Sequence, residues 1–222
     1  ILDELRIPAI FYISSGIVNT NLMFWVDIIE DCINNTKKAY INLKLDKPRQ
    51  FLLNNSENKI KAIELIKAYC KSVSVINYSK IINSLEQKTK VKAKVENSVN
   101  YQKISWEELK LLESNKLFEI GGHSLYHNIL SALNSKQLKR EIRASLDLLE
   151  LNLGKKILHY SYPEGQSNHY NNEVIDCLKH NGIICSPSAI PGLNSRKADL
   201  FNLKRIMVGI SNLPFPYYQD KL

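Results

Sequence analysis

Phe118-Glu119-Ile120-Gly121-Gly122-His123-Ser124-Leu125-Tyr126-His127 joins a strand signal, a glycine pair and two histidines in one short stretch. Residues 118–120 form a short apolar run that fits a buried strand. Gly121 and Gly122 let the backbone turn tightly or pass close to a ligand. If the chain then coils into a helical turn, His123 and His127 fall on one face, because residues four apart are neighbours there. Two neutral imidazoles on one face suit zinc or a similar divalent cation. Zinc–nitrogen bonds are about 2.0–2.1 Å, so a shared ion requires the two nitrogens within about 4 Å. The alternative is a pair of ordinary surface or core histidines.

On the C-terminal side, Asn134-Ser135 opens the clearest helix in the chain. Leu138, Ile142, Leu146, Leu149 and Leu153 make its apolar stripe, and Gly154 stands where a C-terminal cap belongs. Residues 156–162 read as a strand closed by Pro163-Glu164-Gly165. A helix over Asn172–His180 leads through Gly182 to a strand at 183–186, and the last strand is expected at 204–208. Strand and helix alternate through this half, which predicts a largely parallel α/β sheet or barrel.

On the N-terminal side, Ile1-Leu2-Asp3-Glu4-Leu5 reads as the tail of a helix already under way. Residues 7–14 are almost continuously apolar and β-prone, with Pro8 tolerable at the start, as in a strand covered on both faces. From Asn21, apolar residues recur at Leu22, Trp25, Val26, Ile29 and Ile33, a helix with a wide buried stripe. Residues 40–45 alternate strictly, Asp46-Lys47-Pro48-Arg49 turns, and 50–53 return, predicting a β-hairpin. Ser56 is a candidate cap for a helix carrying Ile60, Ile63, Ile66 and Cys70. A weaker helical pattern follows around Ile81, Ile82 and Leu85. Ser105-Trp106-Glu107-Glu108 is a capping box. The chain is expected to form one domain, 1–222, with the segment at about 40–100 inserted at its edge and remote from the chemistry.

The 222 residues include 44% hydrophobic and 23% charged side chains, ordinary for a globular fold. No stretch is long or apolar enough to span a membrane. The net charge of +8 makes nucleic acid and anionic sugars conceivable partners. Lys88, Lys90, Lys92 and Lys94 alternate with Thr89, Val91, Ala93 and Val95, the pattern of a strand with one basic face. No aromatic residue interleaves there, as a single-strand binding platform would need, so nucleic acid is not expected as a partner. Cys32, Cys70, Cys177 and Cys185 share no CxxC spacing and read as small buried hydrophobes.

Taken in order, these motifs resemble the polysaccharide deacetylases of carbohydrate esterase family four. Ile7-Pro8-Ala9-Ile10-Phe11-Tyr12 resembles the family's second strand. Ser105-Trp106-Glu107-Glu108-Leu109 and the stretch Glu119 to His127 resemble its helix and its His-(Ser/Thr)-x-x-His motif. Leu149-Glu150, Leu153-Gly154 and Tyr160-Ser161-Tyr162-Pro163-Glu164-Gly165 resemble the following helix and groove motif.

That resemblance implies a distorted (β/α) barrel with its active site at the C-terminal ends of parallel strands. It implies metal-dependent removal of acetyl groups from an N- or O-acetylated sugar in a polysaccharide or glycan precursor, such as a bacterial cell-surface glycan. His123 and His127 would be metal ligands, zinc foremost. The Glu164 amide would hold the oxyanion, and Tyr162, Pro163 and Gly165 would contact the sugar.

The sequence departs from the family at three points. The Asp-Asp motif, which supplies the base and the third ligand, belongs to a first strand ahead of residue 7, and no such strand is present. Ser161 stands where the family often has Arg, and Glu164 where it has an aromatic residue. The late motif with an acid histidine is not visible, leaving His159 and His169 as nearby candidates, with His169 expected in a solvent-exposed loop. The chain by itself is therefore expected to have little deacetylase activity. The competing reading is a non-catalytic relative that binds a glycan or a partner protein.

Overall fold

A computed structural model describes residues 1–208. In chain order its elements are β1 (Ala9–Ile13), α1 (Trp25–Asn35), β2 (Tyr40–Lys44), β3 (Pro48–Leu52), α2 (Ser56–Ser72) and α3 (Val75–Thr89). There follow α4 (Trp106–Ser114), β4 (Phe118–Gly122), α5 (Ser135–Leu153), α6 (Asn172–His180), β5 (Pro187–Pro191) and β6 (Leu203–Arg205). They group into two compact units, one made of Ile1–Gly16 and the chain from Leu109 on, the other of Ile17–Glu108. No helix among the described residues is long and apolar enough to cross a membrane.

The first unit carries the histidines. Its strand contacts are all parallel. β1 runs beside β4 from Ala9↔Phe118 to Ile13↔Gly122. Single parallel bridges then link Gly122 to Tyr160 and His159 to Cys185. β5 pairs with β6 at Pro187↔Leu203 and, after a register shift, at Pro191↔Arg205. The strand expected at 156–162 thus shrinks to the bridge residues His159 and Tyr160, and that at 183–186 to Cys185; Pro163 lacks an N–H and takes the chain out of the ladder just past Ser161. The unit is a mixed α/β fold, with which the expected distorted barrel is only loosely consistent, because no closed barrel forms among the described residues. No described strand pairs with the outer edge of β1, so the ring of hydrogen bonds that closes a barrel does not form among the described residues.

Helix α5 packs on this sheet. Leu138, Ile142, Leu146 and Leu149 are buried along one stripe, as a 3.6-residue period requires. Asn134 and Gln137 form a capping box at its start. Gly154 ends it at φ 71°, a left-handed turn that a Cβ would strain. Helix α6 lies against α5, capped by the Asn171 side chain on the Val174 amide at 3.0 Å.

The second unit is a layer of helices on a hairpin. β2 and β3 pair antiparallel from Tyr40↔Leu52 to Lys44↔Pro48. Ile41, Leu43 and Phe51 point from the hairpin into a core with Ile29, Cys32 and Ile33 of α1, Ile66 and Cys70 of α2, and Leu85 of α3. The unit's bounds therefore take in α1 as well as the 40–100 segment. Glu108 accepts from both the amide and the hydroxyl of Ser105, at 2.7 and 2.9 Å, completing the box read from sequence.

Two local readings change. Asn55, not Ser56, caps α2, accepting from the Asn58 amide at 2.8 Å. Lys88–Val95 is no strand: α3 continues through Thr89, and Lys90 turns left-handed at φ 59°. Val91 and Ala93 alternate with lysines because they pack on the hydrophobic core as an irregular segment. The Val91 carbonyl accepts from Cys32 Sγ and the Ala93 amide donates to Glu86.

Candidate active site around the histidine pair

The two glycines of β4 answer to packing on opposite sides of one strand. A Cβ on Gly121 would meet the Tyr12 ring at 2.6 Å, and one on Gly122 the Tyr160 ring at 2.6 Å. Successive strand residues face opposite ways, so each glycine makes room for a different aromatic side chain.

Past Gly122 the chain does not coil. Ser124 and His127 adopt φ of 62° and 60°, the left-handed region that costs a residue with a Cβ roughly 1–2 kcal/mol. The surroundings impose that shape. The His123 carbonyl accepts from the Ser14 hydroxyl at 2.8 Å, and its amide donates to Ile13 at 3.0 Å. The Ser124 amide donates to the Tyr160 phenol at 2.7 Å. Buried Glu141, on α5, accepts from the amides of Leu125 and Tyr126 at 3.1 and 3.3 Å and from the Asn128 side chain at 3.1 Å. Sequence reading passed over Glu141. Its signal was a carboxylate on the buried stripe between Leu138 and Ile142.

The outcome is a pair of imidazoles with ring centroids 4.8 Å apart at 65°. Two imidazoles on one tetrahedral ion would have centroids about 5 Å apart, given metal–nitrogen bonds of about 2 Å, so the spacing fits. His123 Nδ1 lies 2.8 Å from the Ser161 carbonyl. A carbonyl only accepts, so Nδ1 carries the proton and the neutral ring keeps its lone pair on Nε2. Burial first, then the neighbouring His127 and Arg205, push the His123 pKa down to about 3 against the opposing pull of Ser161. A neutral, oriented imidazole is the ligand form. The donor chemistry thus fits a divalent cation, but the set is short. Among the described residues, no three of His, Cys, Asp and Glu gather where they could hold a metal.

The Ser161–His123 bond ties the groove segment directly to the histidines. Glu164 and Gly165 turn back through left-handed φ of 62° and 64°. The Gly165 carbonyl accepts from Ala189 at 2.8 Å, and a Cβ at Gly165 would meet the Ala189 nitrogen at 2.7 Å. Pro163 and Gly165 are buried and Glu164 is half-buried. Tyr162, expected to touch a sugar, has no exposed surface. Its hydroxyl donates to the Phe201 carbonyl at 2.8 Å and its ring stacks on Tyr170 at 4.0 Å, so both ends of the side chain are engaged inside the protein.

The remaining histidines take other parts. His159 Nε2 lies 3.2 Å from Glu119, one residue before the Tyr160 bridge. His169 is buried, contrary to the exposed loop expected, and its Nδ1 accepts from the Gln166 amide at 3.2 Å. Three free cysteines, Cys32, Cys70 and Cys177, and the fourth, Cys185, form no disulfide. Burial raises the thiol pKa of each.

Comparison with known proteins bears on the same segments. The family description "Polysaccharide deacetylase" matches residues 72–185, a span that contains both histidines and the groove loop. No protein of curated function matches significantly. Among solved structures, the chain is similar to a de-N-acetylase from Aggregatibacter actinomycetemcomitans, at 18% identity, TM-score 0.41, covering 49% of this chain and 51% of that one. It is similar to a polysaccharide deacetylase from Bacillus cereus, at 19% identity, TM-score 0.46, covering 65% and 46%. It is also similar to a Streptococcus pyogenes deacetylase in complex with acetate, at 14% identity, TM-score 0.48, covering 96% of each chain. The chain thus spans about half the length of the first two.

Proposed function

From a chain that belongs to the polysaccharide deacetylase family, we propose a metal-dependent deacetylase acting on an N- or O-acetylated sugar of a glycan. The observation that carries the reading is the His123–His127 pair, 4.8 Å apart and bonded through Ser161 to the Pro163–Gly165 loop. A divalent ion held by the two rings, zinc foremost, would acidify bound water and polarise the acetyl carbonyl.

The chain's own residues do the rest. Ser161 fixes the His123 tautomer and aims Nε2 away from the groove backbone. Glu141 and Tyr160 hold the loop that carries His127. Glu164 offers its main-chain amide to the oxyanion, the kind of fixed donor whose removal typically costs about 10²–10³ in rate. Pro163 and Gly165 form the wall.

One observation favours the alternative, a relative that binds glycan or a partner without turnover. The described residues give an ion two protein ligands where catalytic zinc usually has three. Missing general-base help alone would cost about 10²–10⁴ in rate. The test is acetate release from an N-acetylated oligosaccharide, with zinc and with chelator, by the chain and by His123→Ala and His127→Ala. Zinc-dependent release that both substitutions abolish supports the deacetylase. Zinc binding with no release at any protein concentration selects the binding reading. Release indifferent to both histidines overturns the site.

A further inference from the structure

Among the described residues, Arg205 has no ion-pair partner. It ends β6, and because every strand contact in this unit is parallel, it stands at the strand end from which His123 also emerges. Its Nε is shut off from water and has no hydrogen-bond partner. Exposed Arg143, by contrast, holds Asp147 at 2.6 Å. Arg205 is close enough to His123 to help keep that ring neutral, and to Tyr12 to favour its phenolate against a rise set mainly by burial.

Arg205 is half-buried, and a guanidinium nitrogen cut off from water costs free energy unless an acceptor repays it. The planar guanidinium fork matches a carboxylate in two parallel hydrogen bonds. We propose that Arg205 is the anion-binding group of the histidine site and takes a small carboxylate there. Identifying that carboxylate as acetate, the product of deacetylation, rests on the function proposed above; the anion site does not. Before hydrolysis the acetyl group is neutral, so the same guanidinium would bind product more tightly than substrate. That makes acetate a product inhibitor.

The experiment is a titration of the full chain with ¹³C-acetate followed by NMR, with and without zinc, repeated with acetamide as the neutral isostere. Arg205→Gln and Arg205→Lys are compared after melting curves show that they fold. Acetate is expected to saturate the native chain, about tenfold more weakly Arg205→Gln, and Arg205→Lys in between. Acetamide should bind the native chain no better than acetate binds Arg205→Gln. Equal acetate affinity in Arg205→Gln and the native chain, equal affinity for acetamide, or no acetate binding by the native chain would overturn the proposal. Arginine-dependent acetate binding without acetate release from an oligosaccharide would leave the anion site standing and remove the deacetylase.

Discussion

The Tyr160 phenol accepts the Ser124 amide at 2.7 Å, both groups wholly buried. Its ring also fills the space that a side chain on Gly122 would claim. One tyrosine therefore sets both the end of β4 and the left-handed start of the histidine loop.

Tyr160→Phe keeps the ring and removes the acceptor. A buried amide left unpaired costs about 1–3 kcal/mol, and that loss of unfolding free energy is expected here. Urea denaturation measures it. A change below about 0.5 kcal/mol would mean that water or another acceptor replaces the phenol.

Glu141 collects three hydrogen bonds on one side chain. All three fall on Oε1, which Glu141→Leu removes, leaving the buried donors of the loop without their acceptor. Loss of about 1.5–3 kcal/mol is expected, the range for hydrogen bonds to a charged group. Zinc affinity should fall with it, since the loop carries His127. Unchanged zinc affinity in a destabilised variant would show that His127 is placed without this clamp.

Gly165 and Gly154 are both left-handed, at φ 64° and 71°, but only Gly165 is crowded. Gly154→Ala should cost about 1 kcal/mol, the strain of the backbone alone. Gly165→Ala adds a 2.7 Å clash with the Ala189 nitrogen and should cost at least 1 kcal/mol more. Equal losses in thermal melts would refute the crowding.

The depressed His123 pKa gives the metal-free protein an acid limit. An unfolded histidine titrates near about 6.5, while His123 in the fold titrates at about 3. Between those values the unfolded chain binds a proton that the native chain does not, so stability rises with pH, by up to about 1.4 kcal/mol per pH unit. Above about 6.5 the contribution is complete, and it is lost as pH falls toward 3. His123→Gln should flatten this slope in denaturant titrations at several pH values. An unchanged slope would place the titrating group elsewhere.

Much of this was legible in the sequence, for reasons that differ by element. α5 could be read because its stripe, its Asn134 cap and Gly154 all answer to the helix's own period. The histidine pair could be read from spacing, although for the wrong reason. Four residues bring side chains together on a helix, whereas here two left-handed residues, Ser124 and His127, do so. That bend is imposed by Tyr160, Ser14 and Glu141, none of them local to the motif. Alternation at Lys88–Val95 misled because an irregular segment laid on a core also shows every second side chain to water. Arg205 was unreadable as a site residue, since nothing near it in sequence marks its distance from any carboxylate.

The Asn19 amide donates to the Ile104 carbonyl at 3.0 Å, joining the two ends of the unit that interrupts the sheet. β1 must find β4 across that whole interval. If the 17–108 unit folds first, this hydrogen bond closes most of the loop in advance. The entropy left for pairing β1 with β4 then drops by roughly 1 kcal/mol on logarithmic scaling. The inserted unit would act as a folding clamp: weakening its core should slow assembly of the histidine sheet before it alters the finished site.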